Sequence, residues 1–227
     1  MERETGNNLK IGLFGGTFNP IHLGHLRPVE EIRQEFCLSK IFFIPAHIPP
    51  HKGVQAVSSR HRFAMVKESI SGNPFFDISD IETTRQGNSY SFETINYFTR
   101  LYTNKAVLFF IMGVDAFREI HAWRNYPDFF SSCNFIIMSR PGREYTAGTP
   151  EGLIPTDIKE TFRFNAEKSC FSHESGCHVY LSTVTPFDIS SSGIRSNLER
   201  EQSIKYLVPE AVETYINRYK LYKRTER

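Results

Sequence analysis

The sequence lacks a long hydrophobic run, and it carries little excess charge of either sign. None of its apolar stretches approaches the ~20 consecutive residues that a membrane-spanning helix requires. Lysine and arginine together number 27 against 25 aspartate and glutamate residues, a formal net charge of +2. This balance favours neither a general nucleic-acid partner nor a membrane partner. The polar segment 1–8 is unlike a secretory signal, and we expect a disordered lead-in to a single domain over 9–227.

Cysteine is also scarce. Four cysteines in 227 residues are too few for a disulfide framework, which favours a reducing cytoplasm. Cys170, His173, Cys177 and His178 could supply four zinc ligands, which makes a structural zinc site the competing interpretation. Their spacings are short and lack the long separation between ligand pairs of the usual zinc motifs. We therefore predict a polar turn there and no bound metal.

Short apolar runs alternate with helical patterns along the chain. This alternation is typical of a Rossmann-like, doubly wound α/β fold with a mostly parallel sheet. A helix is predicted to open near residue 190, and a C-terminal helical extension follows Pro209. The segment 143–180 has no clean period before its last few residues, and we expect a long excursion with some local helix. Strands are predicted at 9–14, 41–44, 76–78, 106–112, 135–138 and 179–181.

The most informative stretch runs from Gly15 to His25, between the first strand and an amphipathic helix. Gly15 and Gly16 let the backbone approach a ligand without an intervening Cβ, and the helix start offers unpaired N–H groups and a positive dipole end. Such a turn is a phosphate site. His22 and His25 are three residues apart, so both imidazoles can face one anion. The alternative is a pair of capping or surface histidines on an ordinary α/β turn.

A second candidate anion site combines three serines with an arginine. Ser190 to Ser192 open a helix, where hydroxyls and free amides can bind phosphate oxygens, and Arg195 adds a planar charged fork. An ordinary N-cap with a surface arginine is the alternative. Gly113 and Asp115 follow the most apolar strand, at the strand end where open α/β sheets bind ligands. Two anion sites in one sheet suggest a ligand with several phosphates.

These elements resemble known motifs. The stretch from Gly15 to His25 resembles the G-x-F-x-P-x-H-x-G-H motif of the nucleotidyltransferase superfamily. The three serines with Arg195 resemble its partner motif, with Ser192 where threonine is usual. Within that superfamily the chain resembles the nicotinate-nucleotide adenylyltransferase family, from about Lys10 to about Tyr222. The match includes the residues at 49–52, 87–91, 113–115, 123–124 and 140–142, whereas 143–180 has little that matches.

The resemblance implies transfer of the adenylyl group of ATP to nicotinate mononucleotide, which gives deamido-NAD and pyrophosphate in NAD biosynthesis. It implies in-line attack without a covalent intermediate, Mg²⁺ carried in with ATP, and a possible homo-oligomer. The implied catalytic residues are His22, His25 and Arg195. Implied ATP contacts are Gly15, Gly16, Thr17, Phe18, His22, His25, Gly113, Asp115, Ser190, Ser191, Ser192 and Arg195. Implied contacts to nicotinate mononucleotide are Lys52, Ser89, Tyr90 and Trp123.

Two other functions stay open at the level of sequence. Another superfamily branch, such as a phosphopantetheine adenylyltransferase or a cytidylyltransferase, would use the same phosphate motifs. Tyr90, Trp123 and the Pro-Pro-His-Lys sequence at 49–52 resemble the pyridine-nucleotide branch instead. A nucleotide-binding regulator without turnover would tolerate loss of His22, His25 or Arg195, yet all three are present. Tyr90 could equally be a core or rim aromatic, and Lys52 could be merely solvated.

Overall fold

The computed structural model describes residues 9–47, 57–85, 87, 89–103, 105–139 and 150–223. Eight strands in these ranges form one sheet: β1 Leu9–Gly16, β2 Lys40–Pro45, β3 Phe76–Ile78, β4 Ala106–Gly113, β5 Asn134–Ser139, β6 Phe162–Asn165, β7 Cys170–His173 and β8 His178–Thr183. The helices are α1 Leu23–Glu35, α2 Ser59–Ile70, α3 Ser91–Leu101, α4 Val114–Arg118, α5 Tyr126–Ser132, α6 Ser191–Glu199 and α7 Glu210–Arg218. Short 3-10 helices span Ile120–Ala122, Pro150–Leu153 and Lys159–Thr161.

The sheet has the order β3-β2-β1-β4-β5-β8-β7-β6. Strands β1 to β5 and β8 run parallel, whereas β6 and β7 are antiparallel to their neighbours. The predicted doubly wound, mostly parallel α/β sheet is confirmed. Since β2 and β4 lie on opposite sides of β1, their connections diverge there and open a crevice beyond its carboxyl end.

Alternate side chains of the strands enter two separate cores. Ile11 and Leu13 of β1 pack in the core under α3, α4 and α5, whereas Phe14 packs in the core under α1, α2, α6 and α7. Val212 and Ile216 of α7 are fully buried in the second of these. The predicted C-terminal extension is therefore an integral part of that layer. Within the described ranges, no helix has the length and apolar character needed to cross a membrane.

The segment 143–180 differs from its prediction. Its described part, 150–180, contains 3-10 helices, but it also contains β6 and β7, which pair as an antiparallel hairpin and extend the sheet beyond β8. The expected local helix is present as these 3-10 helices, whereas the two strands were not predicted. Each of these strands has four residues and so presents only two side chains to each face, too few to produce a recognisable alternation.

The proposed zinc ligands lie in or next to this hairpin. Cys170 is buried within β7, the Nδ1 atom of His173 lies 2.8 Å from Ser175 Oγ, and that of His178 lies 3.1 Å from Ser172 Oγ. Within the ranges that the structure describes, no three His, Cys, Asp or Glu side chains are grouped as a metal site. The two histidines therefore serve as hydrogen-bonding groups of the hairpin.

Candidate active site

The two histidines of the turn lie against each other at the start of α1. His22 is the N-cap residue and His25 is the third residue of the helix. Their ring centroids are 3.7 Å apart with an interplanar angle of 32°, and the backbone N–H of His22 donates to His25 Nδ1 at 3.3 Å. Because Nδ1 is an acceptor, a neutral His25 carries its proton on Nε2.

The glycine between the histidines is required by their packing. A Cβ added at Gly24 would lie 3.1 Å from His22 Nδ1, 3.2 Å from its Cε1 and 3.4 Å from the carbonyl oxygen of Ile189. The first two distances are tighter than ordinary van der Waals contact. His22 itself is only 5% exposed, so its ring has little room to move away. The glycine of the H-x-G-H motif thus sets the position of the first imidazole.

Phe18 holds the backbone of the turn in place. Its φ of 48° lies in the left-handed region, which is unfavourable for a bulky residue. Its ring is 2% exposed, packs at 5.5 Å from Phe14 and meets His25 edge-on at 5.3 Å. Burial of this ring offsets the backbone cost, because an aromatic side chain removes a large apolar area from water. Core packing therefore fixes the conformation that presents the turn's amides.

A cleft of about 260 Å³ opens at the carboxyl ends of β1 and β4. The imidazole of His25 and the exposed carboxylate of Asp115 contribute its polar groups, and Met138 and Val184 contribute apolar surface. This composition suits a ligand with both an apolar ring and charged groups. Six of the residues predicted to contact ATP line this cleft: Gly15, Gly16, Phe18, His25, Gly113 and Asp115.

The second predicted anion element is bonded directly to the first. Ser190 caps α6 by accepting from the Gly193 N–H at 3.1 Å. Ser191 Oγ donates to the carbonyl of Pro20 at 2.9 Å. Arg195 Nη1 donates to the carbonyl of Asn19 at 2.8 Å. The start of α6 and Arg195 thus lie against the turn, although the serines and Arg195 are not among the described residues that line the cleft.

Three of the four residues predicted to contact the mononucleotide belong to the described part of the chain, and they lie near the start of α3. Tyr90 is the N-cap residue of that helix, and the Arg124 guanidinium lies over its ring, 5.0 Å from the centroid. Trp123, half-buried, meets Phe110 and Phe129 edge-on at 6.4 Å and 6.1 Å. Arg124, the residue next to Trp123, thus brings the Trp123 segment close to Tyr90. Lys52 lies outside the described residues.

Ser89 is engaged with the protein itself. It is 9% exposed, and its Oγ accepts from the backbone N–H of His47 at 2.8 Å. The carboxylate of Glu82, itself 6% exposed, accepts from Thr94 Oγ1 at 2.7 Å and also hydrogen-bonds the Ser89 side chain. Burial raises the pKa of Glu82 above its ordinary value, although these two hydrogen bonds act in the opposite direction. Contact between Ser89 and a mononucleotide stays a prediction.

Sequence reasoning missed Arg62 on α2. This residue is 1% exposed, and its guanidinium donates to the carbonyls of Thr17, His47 and Val57 at 2.7, 2.8 and 3.0 Å. Desolvation by burial lowers its pKa. The available signal was a cation on the apolar face of the helix, next to Met65 and Val66. Glu82 was missed in the same way, as a carboxylate within a segment that reads as a polar turn.

Comparison with known proteins agrees with this geometry. The family model described as cytidylyltransferase-like matches residues 13–197. A probable nicotinate-nucleotide adenylyltransferase of Geobacter sulfurreducens is 42% identical over 215 residues, covering 94% of this chain and 98% of that protein. One from Thermoanaerobacter sp. is 40% identical over 227 residues, covering 100% and 98%.

A solved structure has the same fold. The nicotinic acid mononucleotide adenylyltransferase of Plasmodium falciparum complexed with NaAD aligns with a TM-score of 0.71 at 19% identity, covering 94% of this chain and 97% of that one. Fold and site together define a nucleotidyltransferase with a cytidylyltransferase-like core. More specifically, the chain belongs to the nicotinate-nucleotide adenylyltransferase family.

Proposed function

We propose that this protein transfers the adenylyl group of ATP to nicotinate mononucleotide, giving nicotinate adenine dinucleotide (deamido-NAD) and pyrophosphate in NAD biosynthesis. The observation that carries the proposal is the close pair His22 and His25 at a helix start, where His25 lines a cleft together with Gly15, Gly16 and Asp115. The compartment we propose is the cytoplasm, in keeping with four cysteines that are all free thiols.

The ATP side of the site is assigned first. Backbone amides from Gly15 to Phe18 hold the phosphates, together with the His25 imidazole. The serines at the start of α6 and Arg195 take the β- and γ-phosphates, because hydroxyls and a guanidinium fork match phosphate oxygens. Gly113 and Asp115 border the nucleotide at the end of β4. His22, packed beneath His25, stabilises charge on the same phosphoryl group.

The chemistry rests on position and charge. A phosphate oxygen of the mononucleotide attacks the α-phosphorus of ATP in line, and the bond to the pyrophosphate oxygen breaks. The second pKa of a phosphate monoester is about 6, so the nucleophile is anionic at neutral pH and needs no strong general base. The protein contributes alignment and donors to the developing negative charge. His22, His25 and Arg195 supply those donors.

Mg²⁺ enters with the nucleotide in this proposal. The ion keeps several waters and is usually held by substrate phosphates with one or two carboxylates. Asp115 is the carboxylate among the described lining residues of the cleft, and it fits such a site. When bound, the ion supplies neutralisation of charge on the leaving pyrophosphate.

The mononucleotide side uses aromatic surface. Trp123 offers an indole face for the pyridine ring, and Tyr90 forms the opposite rim beneath Arg124. Lys52 and Ser89 complete the proposed set, with Lys52 as the cationic partner of the mononucleotide phosphate. This arrangement separates an anion-binding half from a ring-binding half. The bond that forms lies between them.

The test compares acceptors and donors in one assay of pyrophosphate release. We expect turnover with ATP and nicotinate mononucleotide, and no turnover with 4′-phosphopantetheine as the acceptor or with CTP as the donor. His22→Ala serves as the inactive control. Release with phosphopantetheine or CTP would assign the chain to another superfamily branch. ATP binding without release in any combination would instead indicate a regulator.

A further inference from the structure

A buried arginine outside the cleft connects three separate parts of the chain. Arg62 lies on α2, and each of its three guanidinium nitrogens donates to a different backbone carbonyl: Thr17, His47 and Val57. Thr17 follows the two glycines of the ATP turn, whereas His47 follows β2. A planar guanidinium with donors in a fixed fork suits this geometry, and a lysine ammonium cannot reproduce it.

Among the residues that the structure describes, the charge of Arg62 is held by carbonyl groups and not by a carboxylate. In the described ranges no ion pair involves this residue, and its partners are carbonyl dipoles. Burial of a cation is costly unless it is well hydrogen-bonded, so an apolar side chain would be the cheaper occupant of this position. The arginine therefore serves a purpose other than filling the core.

The hydrogen bonds continue from Arg62 to the other half of the site. The carbonyl of His47 accepts from Arg62, and its backbone N–H donates to Ser89 Oγ at 2.8 Å. Ser89 precedes Tyr90, the N-cap residue of α3 on the mononucleotide side. A continuous series of bonds thus runs from Thr17 through Arg62 and His47 to Ser89. It joins the ATP turn to the segment that carries Tyr90.

We propose that Arg62 is a positioning residue that couples the two substrate sites, so that occupation of the ATP turn tightens binding of the mononucleotide. A ligand on the turn holds the Thr17 carbonyl in place, and the rigid fork transmits that restraint to His47 and Ser89. By linkage, the mononucleotide tightens ATP binding by the same factor. The identity of the second ligand rests on the proposed function. The bond network does not.

The experiment measures the dissociation constant of nicotinate mononucleotide by calorimetry, with and without saturating α,β-methylene ATP. In the wild-type protein we expect the analogue to tighten binding about five- to tenfold. In Arg62→Met the ratio falls to about one, while the affinity for either ligand alone changes less. Arg62→Lys, which can bond only part of the carbonyl set, gives an intermediate ratio. Arg60→Lys, on the exposed side of the same helix, is the matched control and keeps the wild-type ratio.

The outcomes separate the inference from the proposed function. A wild-type ratio of one, or an unchanged ratio in a folded Arg62→Met protein, would overturn the coupling role and leave the reaction intact. No binding of the mononucleotide to wild-type protein would overturn both. If Arg62→Met fails to fold, Arg62→Lys decides, because a full wild-type ratio in that variant contradicts the proposal.

Discussion

The two sides of the site are held in place by different means. On the ATP side, His22 and His25 are three residues apart and bonded to each other within the start of one helix. On the mononucleotide side, Ser89 is held by His47 from 42 residues away, and Arg62 joins that side to Thr17 of the ATP turn across 45 residues. Local contacts of the first kind produce a motif that is visible in the sequence. Long-range bonds of the second kind do not.

The largest expected effect tests the ATP side directly. His22→Ala removes an imidazole that is packed 3.7 Å from His25, and we expect kcat to fall by about 10²-fold or more with little loss of fold. Steady-state kinetics with circular dichroism on the same preparation measures both. The control is His121→Ala, an exposed histidine outside the site, which should retain wild-type kcat. Near-normal turnover in His22→Ala would remove this histidine from the mechanism.

A smaller effect tests whether local packing sets the geometry on that side. In Gly24→Ala the new methyl group presses on the His22 ring, and the displaced imidazole should lower kcat about tenfold, because small misplacements of catalytic groups are costly. Gly72→Ala is the matched control, since a Cβ there meets nothing within 4 Å. Equal kcat values for the two variants would mean that the ring is not held by this contact.

The third prediction concerns a substitution that affects the mononucleotide side alone. Trp123→Ala removes the proposed stacking surface, and the loss of about 1 kcal/mol should raise KM for nicotinate mononucleotide about fivefold. KM for ATP should stay near the wild-type value. Tyr206→Ala, at a tyrosine that is 80% exposed, is the aromatic control. A rise in KM for ATP, with KM for nicotinate mononucleotide unchanged, would place Trp123 on the ATP side and contradict the prediction.

The smallest effect concerns the buried carboxyl that supports Ser89. Because burial raises the pKa of Glu82, the native state holds this proton more tightly than the unfolded chain does. Glu82 therefore lowers the free energy of unfolding as pH rises from its ordinary pKa of 4.5 through the raised value. Glu82→Gln has no such titration. The free energy of unfolding of this variant should therefore rise relative to that of the wild-type protein over that pH interval. Urea unfolding at several pH values measures the difference.

An exposed carboxyl provides the reference for that experiment. Glu68→Gln, on the solvent face of α2, should follow the wild-type curve. If Glu82→Gln shows the same pH dependence as wild type, the carboxyl does not carry the burial cost assigned to it.

The same contrast explains what the sequence could predict. The strands from β1 to β5, the glycine turn and the serine-rich start of α6 follow from local patterns, because each needs only consecutive residues of the right type. The β6–β7 hairpin was not predicted because its strands are only four residues long. The roles of Arg62 and Glu82 were not predicted for another reason. Their partners are backbone and side-chain groups brought close only by the folded sheet, and sequence shows them merely as charged residues in unexpected places.

Adenylyl transfer to nicotinate mononucleotide is tested most directly by measuring pyrophosphate release with ATP and Mg²⁺, with nicotinate mononucleotide and nicotinamide mononucleotide compared as acceptors. We predict release with the acid at a rate far above that with the amide, and formation of nicotinate adenine dinucleotide as the product. Equal rates would contradict specificity for the acid and make the enzyme a dual-specificity one. Absence of release with both mononucleotides would contradict the assigned reaction.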